Sequence, residues 1–193
     1  MSLSPAANTP SRPSRTATGC RVGVLISDLY FIDPKPLEGQ ESAERGVRLE
    51  VRMLDRGELK GSIYSAQPIG IGRPVWRADL LESVDSPPGS LDRAHYHPVF
   101  AGWEPSDRVF DEDLSARPAA WVGEQLADLA ALLRRAGLDP DESLAADAES
   151  LRACVPEIMA AVGRLLGEVA AGQLGTGPDA DSGPLISARV GWL

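Results

Sequence analysis

The fold is decided by a stretch in which apolar and charged residues alternate, Val47-Arg48-Leu49-Glu50-Val51-Arg52-Met53. Side chains at positions i and i+2 of a strand point to the same side of a sheet. The apolar residues of this stretch therefore share one face, and the charged residues share the other. Such alternation is typical of an antiparallel sheet that buries one face and leaves the other in water.

Further extended segments flank this strand on both sides. Val22, Val24 and Ile26 alternate with smaller or polar residues, and the prolines between Asp33 and Pro36 end that segment, because proline disfavours continuation of a strand. Turn residues, among them Gly57, punctuate the chain that follows. The sequence predicts an antiparallel meander of about five strands, completed by strands at 59–69, 75–81 and 93–100 and by turns at 55–57, 70–74 and 83–92.

Beyond the acidic connector 111–113 the apolar residues recur with a helical period. One stripe lies between Pro118 and Gly137, which suit the start and the end of a helix, and it consists of Val122, Leu126, Leu129 and Leu133. A second helical region begins near Asp141, and Pro156 is expected to divide it because proline interrupts a helix. We expect two or three helices packed on the apolar face of the sheet, which makes the fold class α+β.

The predicted domain spans residues 20–174, with the sheet at 20–110 and the helices at 116–174. Residues 1–19 bury too little apolar surface to offset the entropy of ordering them, so we expect a disordered N-terminal arm. The C-terminal tail, 175–193, is rich in Gly, Pro and Asp, but its last eight residues alternate again. These residues either stay disordered or return to the sheet as a strand.

The charge of the chain is unevenly distributed. The 193 residues carry a net charge of −9, and 43% of them are hydrophobic, which suffices for one core. Residues 1–110 hold 13 basic and 14 acidic side chains, whereas residues 111–193 hold 6 and 14. The chain lacks the broad basic patch that neutralises phosphates, so nucleic-acid binding is disfavoured. The preference for arginine over lysine suggests a bacterial genome of high GC content.

Cysteine usage and apolar runs bear on the compartment. Cys20 and Cys154 form no C-x-x-C pattern, which favours two reduced thiols. No run of about 18 apolar residues exists, and the N-terminus has no apolar segment of the secretory type. We expect a cytoplasmic protein without a membrane partner.

Both histidines of the chain, His95 and His97, lie in the last predicted strand. They share one side of that strand with Arg93, because the three residues are spaced two apart. Arg77 and Asp79 share one side of the preceding strand in the same way. If the two strands pair, these five polar residues gather on one face, and they are the candidate site residues.

Metal binding is one interpretation of this group. Neutral imidazoles two residues apart on a strand can chelate a transition metal, which makes His95 and His97 the candidate metal ligands. A third ligand is required, and the nearest acidic candidates are Asp79, Glu82 and Glu104. The sequence predicts no organic cofactor, and a divalent metal stays open as an alternative.

Hydrolysis of a phosphodiester is a second interpretation. Arg77 and Arg93 would hold the phosphate while the histidines transfer protons, with Asp79 orienting one imidazole. The order Trp76-Arg77-Ala78-Asp79, then His95-x-His97, resembles the strand-borne Arg, Asp and His pattern of small ribonuclease toxins of the TumE type, over about eight residues. The resemblance implies an RNase-like hydrolase. The acidic helical part of the chain argues against this interpretation unless a second protein contributes to RNA binding.

A third interpretation places the same five side chains in water, where cross-strand charge pairs contribute a few tenths of a kcal/mol each. No catalytic set is complete in the sequence. We therefore favour a protein- or ligand-binding module, with a protein partner or self-association as alternatives, over an enzyme.

Overall fold

The computed structural model describes residues 21–62, 64–139 and 141–177. The main antiparallel sheet consists, in spatial order, of β1 (Val22–Phe31), β2 (Glu44–Arg56), β3 (Ile69–Ser83) and β4 (His95–His97). A two-stranded hairpin, β5 (Phe100–Ala101) and β6 (Glu104–Pro105), precedes the helices α1 (Glu112–Ala116), α2 (Pro118–Ala127), α3 (Leu129–Arg135) and α4 (Glu142–Ala170). The α+β class and the meander are confirmed. The predicted arm 1–19 and the predicted returning strand at 186–193 lie outside the described residues.

The core lies between the apolar face of the sheet and the helices. Across β2 and β3 the register pairs Val47 with Leu80, Leu49 with Ala78 and Val51 with Trp76, and all six side chains are buried. Helix α4 packs against β1 and β2. On the same apolar face, Trp121 of α2 stacks on Trp76 with ring centroids 6.2 Å apart, and its ring makes a tilted contact with Tyr96 of β4 at 4.9 Å. The predicted apolar face is therefore confirmed.

The connection between β2 and β3 differs from the prediction. Residues 57–62 and 64–68 form no strand where a strand at 59–69 was expected, and β3 already begins at Ile69, where a turn at 70–74 was expected. Proline lacks a backbone donor, so within a sheet it is tolerated where the ladder is irregular. Pro74 meets that condition because the register shifts on both sides of its partner Arg52. Such a bulge is not visible in the local sequence.

The helical part also differs from the prediction at one proline. The helix that begins after the cap residue Asp141, whose side chain accepts a hydrogen bond from Leu144 N at 2.9 Å, runs without a break to Ala170. Pro156 lies inside it, on its exposed side. The expected division of this helix is therefore wrong. Buried residues on both sides of the proline, Leu151 and Val162 among them, anchor the helix to the core and outweigh the missing hydrogen bond.

Within the described residues, no helix combines the length and the apolar character needed to cross a bilayer, and this includes the 29 residues of α4.

Replacement of Pro156 by Ala is expected to stabilise the protein. The change restores a backbone donor in an exposed helical position and removes a helix penalty of about 3 kcal/mol, less about 0.4–1 kcal/mol for the greater freedom of the unfolded chain. We expect the free energy of unfolding in urea to rise by about 2–2.6 kcal/mol. Cys154→Ala, an exposed change in the same helix, should alter it by less than about 0.5 kcal/mol. An unchanged or lower stability of Pro156→Ala would contradict a continuous α4.

Candidate functional site

The register of the sheet brings five polar side chains together on the face opposite the helices. Asp79 of β3 lies between Arg48 of β2 and His95 of β4, and its neighbour Arg77 lies opposite His97. These residues, Arg48, Arg77, Asp79, His95 and His97, are called the polar cluster below. The prediction that Arg77, Asp79, His95 and His97 share a face is thus realised by strand pairing.

The polar cluster is buried, which contradicts the interpretation of this face as solvent-exposed. Asp79 and His95 are each 1% exposed, and His97 is 4% exposed. The chain that follows β4 folds back over them: Phe100 of the hairpin lies 5.9 Å from the Arg77 guanidinium, and Phe110 lies 5.5 Å from the His95 ring. The alternation of β2 shows which residues share the face, but the cover comes from Phe100 and Phe110, which lie 44 or more positions after the end of β2.

Asp79 is the centre of the polar cluster. Arg48 donates two hydrogen bonds to its carboxylate, from Nε at 2.8 Å and from Nη2 at 3.1 Å. The Nε of Arg77 lies 3.0 Å from Asp79 Oδ2. Burial disfavours the charged carboxylate, but the attraction of Arg48, the contacts with His95 and His97, and the attraction of Arg77 outweigh burial and hold the pKa of Asp79 well below its ordinary value.

Backbone carbonyls fix the orientation of both imidazoles. The Nδ1 of His95 donates to Arg93 O at 2.8 Å, and the Nδ1 of His97 donates to Ser106 O at 2.6 Å. A carbonyl oxygen can only accept, so both Nδ1 atoms carry hydrogen. Both Nε2 atoms are therefore turned toward Asp79 Oδ2, at 3.4 Å from His95 and 3.7 Å from His97.

The two Nε2 atoms differ in their surroundings. Arg77 Nη2 lies 2.7 Å from the Nε2 of His97. Since a guanidinium only donates, this nitrogen accepts and His97 is neutral. The Nε2 of His95 has Asp79 Oδ2 as its neighbour. Two acceptors facing each other repel, so this nitrogen either carries a proton or shares a cation with the carboxylate.

Two guanidinium groups contact Asp79, and the positive charge of Arg77 is less well compensated by nearby negative charge than that of Arg48. Burial lowers the pKa of Arg77, and repulsion from Arg48 and Arg108 adds to that effect, against the attraction of Asp79 and Glu50. The pKa of Arg48, although also opposed by burial, is raised by Asp79. The Nε of Arg77 is buried and makes no hydrogen bond within the described residues, because its contact with Asp79 has poor geometry.

A pocket of about 290 Å³ opens beside the polar cluster. Arg108 forms a further wall and donates to Glu44 at 2.9 Å and to Asp33 at 3.0 Å, beneath the ring of Phe31. The lining consists of Phe31, Asp33, Arg48, Arg77, Asp79, Leu81, His95, Pro105 and Arg108. This space is called the cluster pocket below.

Arg93, the fifth candidate, does not join the polar cluster. Strand β4 begins only at His95. The Arg93 side chain donates to Gly39 O at 2.9 Å in an exposed position, and its contribution to the site is the carbonyl that accepts from His95.

Of the three acidic side chains considered as a third metal ligand, the structure brings Asp79 to the histidines. The ligand atoms of Asp79, His95 and His97 all lie within 4.8 Å of one another. Glu82 instead accepts from Arg45 at 3.0 Å, and Glu104 is exposed on β6.

Arg48 and Arg108 belong to the site although the sequence prediction did not include them. Arg48 is one of the charged residues in the alternating pattern of β2, so the sequence predicts the face on which it lies. Its pairing with Asp79 depends on the register of two strands and is not predicted by the local sequence. Arg108 carries no local signal, since it reaches its partners Asp33 and Glu44 from 64 or more residues away.

Comparisons with known protein families, with curated proteins and with solved structures find no match. The chemistry of the polar cluster is therefore the basis on which a function is argued.

Replacement of Asp79 by Asn is expected to destabilise the protein by about 3–5 kcal/mol at about pH 7, because two buried guanidinium groups lose their counter-charge. The pKa of Asp79 is lower in the folded protein than its ordinary value of 3.8. Its stabilising contribution is therefore fully present above that pH and is lost as the pH falls through the folded-state pKa. Urea unfolding at several pH values should show the gap between wild type and variant narrowing in acid.

The control for this experiment is Asp107→Asn, an exposed carboxylate in the segment that covers the polar cluster. Its effect should stay below about 0.5 kcal/mol. A gap between wild type and Asp79→Asn that does not depend on pH would show that the charge of Asp79 is not what stabilises the fold.

Proposed function

We propose that the protein is a small-ligand-binding module whose cluster pocket takes a small anion with a carboxylate or phosphate group. The observation that carries the proposal is Arg77. Its Nε is buried and has no hydrogen bond within the described residues, and its Nη2 donates to the imidazole of His97. Buried polar groups are nearly always satisfied, so an unsatisfied one favours an absent ligand.

The charge distribution of the pocket supports the same conclusion. Arg48 has a two-pronged contact with Asp79, and Arg108 divides its donors between Asp33 and Glu44. Arg77 shares the carboxylate of Asp79 with Arg48, and its pKa is nevertheless lowered, because burial and the repulsion of Arg48 and Arg108 oppose the attraction of Asp79 and Glu50. An anion accepting from Arg77 would relieve the repulsion among the three guanidinium groups, and charge-assisted hydrogen bonds of this kind are the strong ones.

The dimensions of the pocket limit the ligand. A volume of about 290 Å³ lies at the lower end of what small-molecule sites offer. Phe31, Leu81 and Pro105 contribute apolar surface to the lining, which lowers the local dielectric and strengthens charge interactions. Inorganic phosphate and short carboxylic acids are the ligands that fit both the charge and the size.

Small anions are expected to stabilise the wild-type protein against unfolding. Phosphate or a short carboxylate at 100 times its Kd should raise the free energy of unfolding by about 2.7 kcal/mol, whereas chloride at equal ionic strength should not. Arg77→Gln should abolish the effect of the anion. Arg56→Gln removes an exposed arginine of β2 and should preserve it. If phosphate and carboxylates fail to stabilise the wild type, or stabilise Arg77→Gln equally, the proposal is wrong.

A metal-assisted hydrolase using His95, His97 and Asp79 is the second candidate. The observation that favours it is the convergence of three ligand atoms, with both Nδ1 atoms held by carbonyls as in many metal sites. Against it, Arg77 occupies the lone pair of His97 and Arg48 occupies the carboxylate. A divalent cation would meet two buried guanidinium groups at short range, which is electrostatically unfavourable.

Elemental analysis of the purified protein separates the two candidates. Under the favoured proposal the wild type contains no stoichiometric metal, and added Zn²⁺ or Mn²⁺ does not change its melting temperature. One metal per chain, lost in His95→Ala/His97→Ala and accompanied by activity in a phosphodiesterase and RNase screen, would establish the hydrolase. Protein partners, self-association and a cytoplasmic location stay predictions.

A further inference from the structure

A second pocket, of about 380 Å³, lies on the same face of the sheet, between β1, β2 and the residues that follow α4. It is called the β1–β2 pocket below. Its lining consists of Leu25, Ser27, Asp28, Leu29, Tyr30, Arg48, Glu50, Arg52, Gln173, Leu174 and Thr176. Arg48 also lines the cluster pocket, but the other residues of the β1–β2 pocket do not.

Arg52 is the unusual feature of this pocket. Its side chain is only 9% exposed, and it makes no hydrogen bond to any residue that the structure describes. The closest carboxylate oxygen, Glu50 Oε2, lies 3.6 Å from its Nη1, beyond hydrogen-bond distance. The ring of Trp103 covers the guanidinium at 5.3 Å. The buried Nε of Arg52 therefore lacks an acceptor among the described residues, and a buried donor needs one from elsewhere.

Glu50 is the acidic residue that lies beside Arg52 in the β1–β2 pocket. Its side chain is 12% exposed, and among the described residues its closest cation is Arg52, at the same 3.6 Å. The buried acids Asp79 and Glu44, by contrast, accept arginine hydrogen bonds of 2.8–2.9 Å. The β1–β2 pocket therefore presents side by side a guanidinium whose buried Nε has no acceptor among the described residues and a carboxylate that forms only the long 3.6 Å contact with it.

We propose that the β1–β2 pocket binds a small zwitterion of the α-amino-acid class with an aliphatic side chain. The carboxylate of the ligand accepts from Arg52, and its ammonium group donates to Glu50. Leu25, Leu29 and Leu174 provide apolar surface for the side chain. The volume falls within the range of small-molecule sites. A simple anion would satisfy Arg52 but would meet the charge of Glu50, so the pair selects a ligand carrying both charges.

This inference does not rest on the anion proposed for the cluster pocket. The residues that carry it, Arg52 and Glu50, do not line that pocket. Inorganic phosphate, the probe of the cluster pocket, is therefore expected not to compete with an amino acid for the β1–β2 pocket.

Calorimetric titration of the wild-type protein with L-leucine and its analogues tests the proposal. L-Leucine is expected to bind with a Kd of about 1 mM or lower. N-Acetyl-leucine lacks the ammonium group, leucinamide lacks the carboxylate, and glycine lacks the apolar body. Each is expected to bind at least about tenfold more weakly, which corresponds to one lost interaction of about 1.4 kcal/mol. Phosphate at saturating concentration should leave the titration of leucine unchanged.

Substitutions of the charged residues in the β1–β2 pocket test whether leucine binds there. Arg52→Gln and Glu50→Gln should each weaken leucine binding at least about tenfold, and Arg56→Gln should not. The analogue series on the wild type remains decisive if a variant does not fold. Absence of leucine binding, equal binding of N-acetyl-leucine, or unchanged binding by a folded Arg52→Gln would each overturn the proposal.

Discussion

The ion pair between Arg48 and Asp79 is the interaction on which the polar face of the sheet depends. Removing a carboxylate from water costs several kcal/mol unless hydrogen bonds and opposite charges replace the solvent, and Arg48 provides both in two contacts of 2.8 and 3.1 Å. The two residues are direct cross-strand partners. If β2 or β3 slipped by one residue, the charged side chains of the shifted strand would turn toward the core. Burial of the Arg48–Asp79 pair and burial of the apolar residues therefore favour the same register.

The residues that follow β4 pack against the charged side chains of this face. Ser106 accepts a hydrogen bond from His97, and aromatic rings of the same segment lie over Arg77 and Arg52. The sheet therefore has two covered faces of different character. Helices cover the apolar face, and the hairpin with its flanking residues covers the polar face. The second cover turns a row of surface charges into a site of low exposure, in which each unsatisfied donor matters.

The sequence alone predicts which residues share each face of the sheet, but it does not predict which residues cover the polar face. Alternation from Val47 to Met53 identified the core side, and the spacing of His95 and His97 placed both on the side of Asp79, because these relations are local. The burial of the polar face, the role of Arg108 and the bulge at Pro74 depend on residues distant in the chain. Pro156 is a case in which a local signal gives the wrong prediction. Proline ordinarily ends a helix, but tertiary packing overrides that tendency in α4.

A purely structural role does not account well for the polar face. Buried ion pairs are on average no more stabilising than apolar residues of similar volume, so stability alone gives little reason to bury Arg77 and Arg52. Both side chains also keep a buried Nε without a hydrogen bond in the described part of the chain, which lowers stability further. Two such guanidinium groups on one face, each lining a pocket, are better explained by acceptors that arrive with a ligand. The covering aromatic rings then serve to keep competing water away from the same donors.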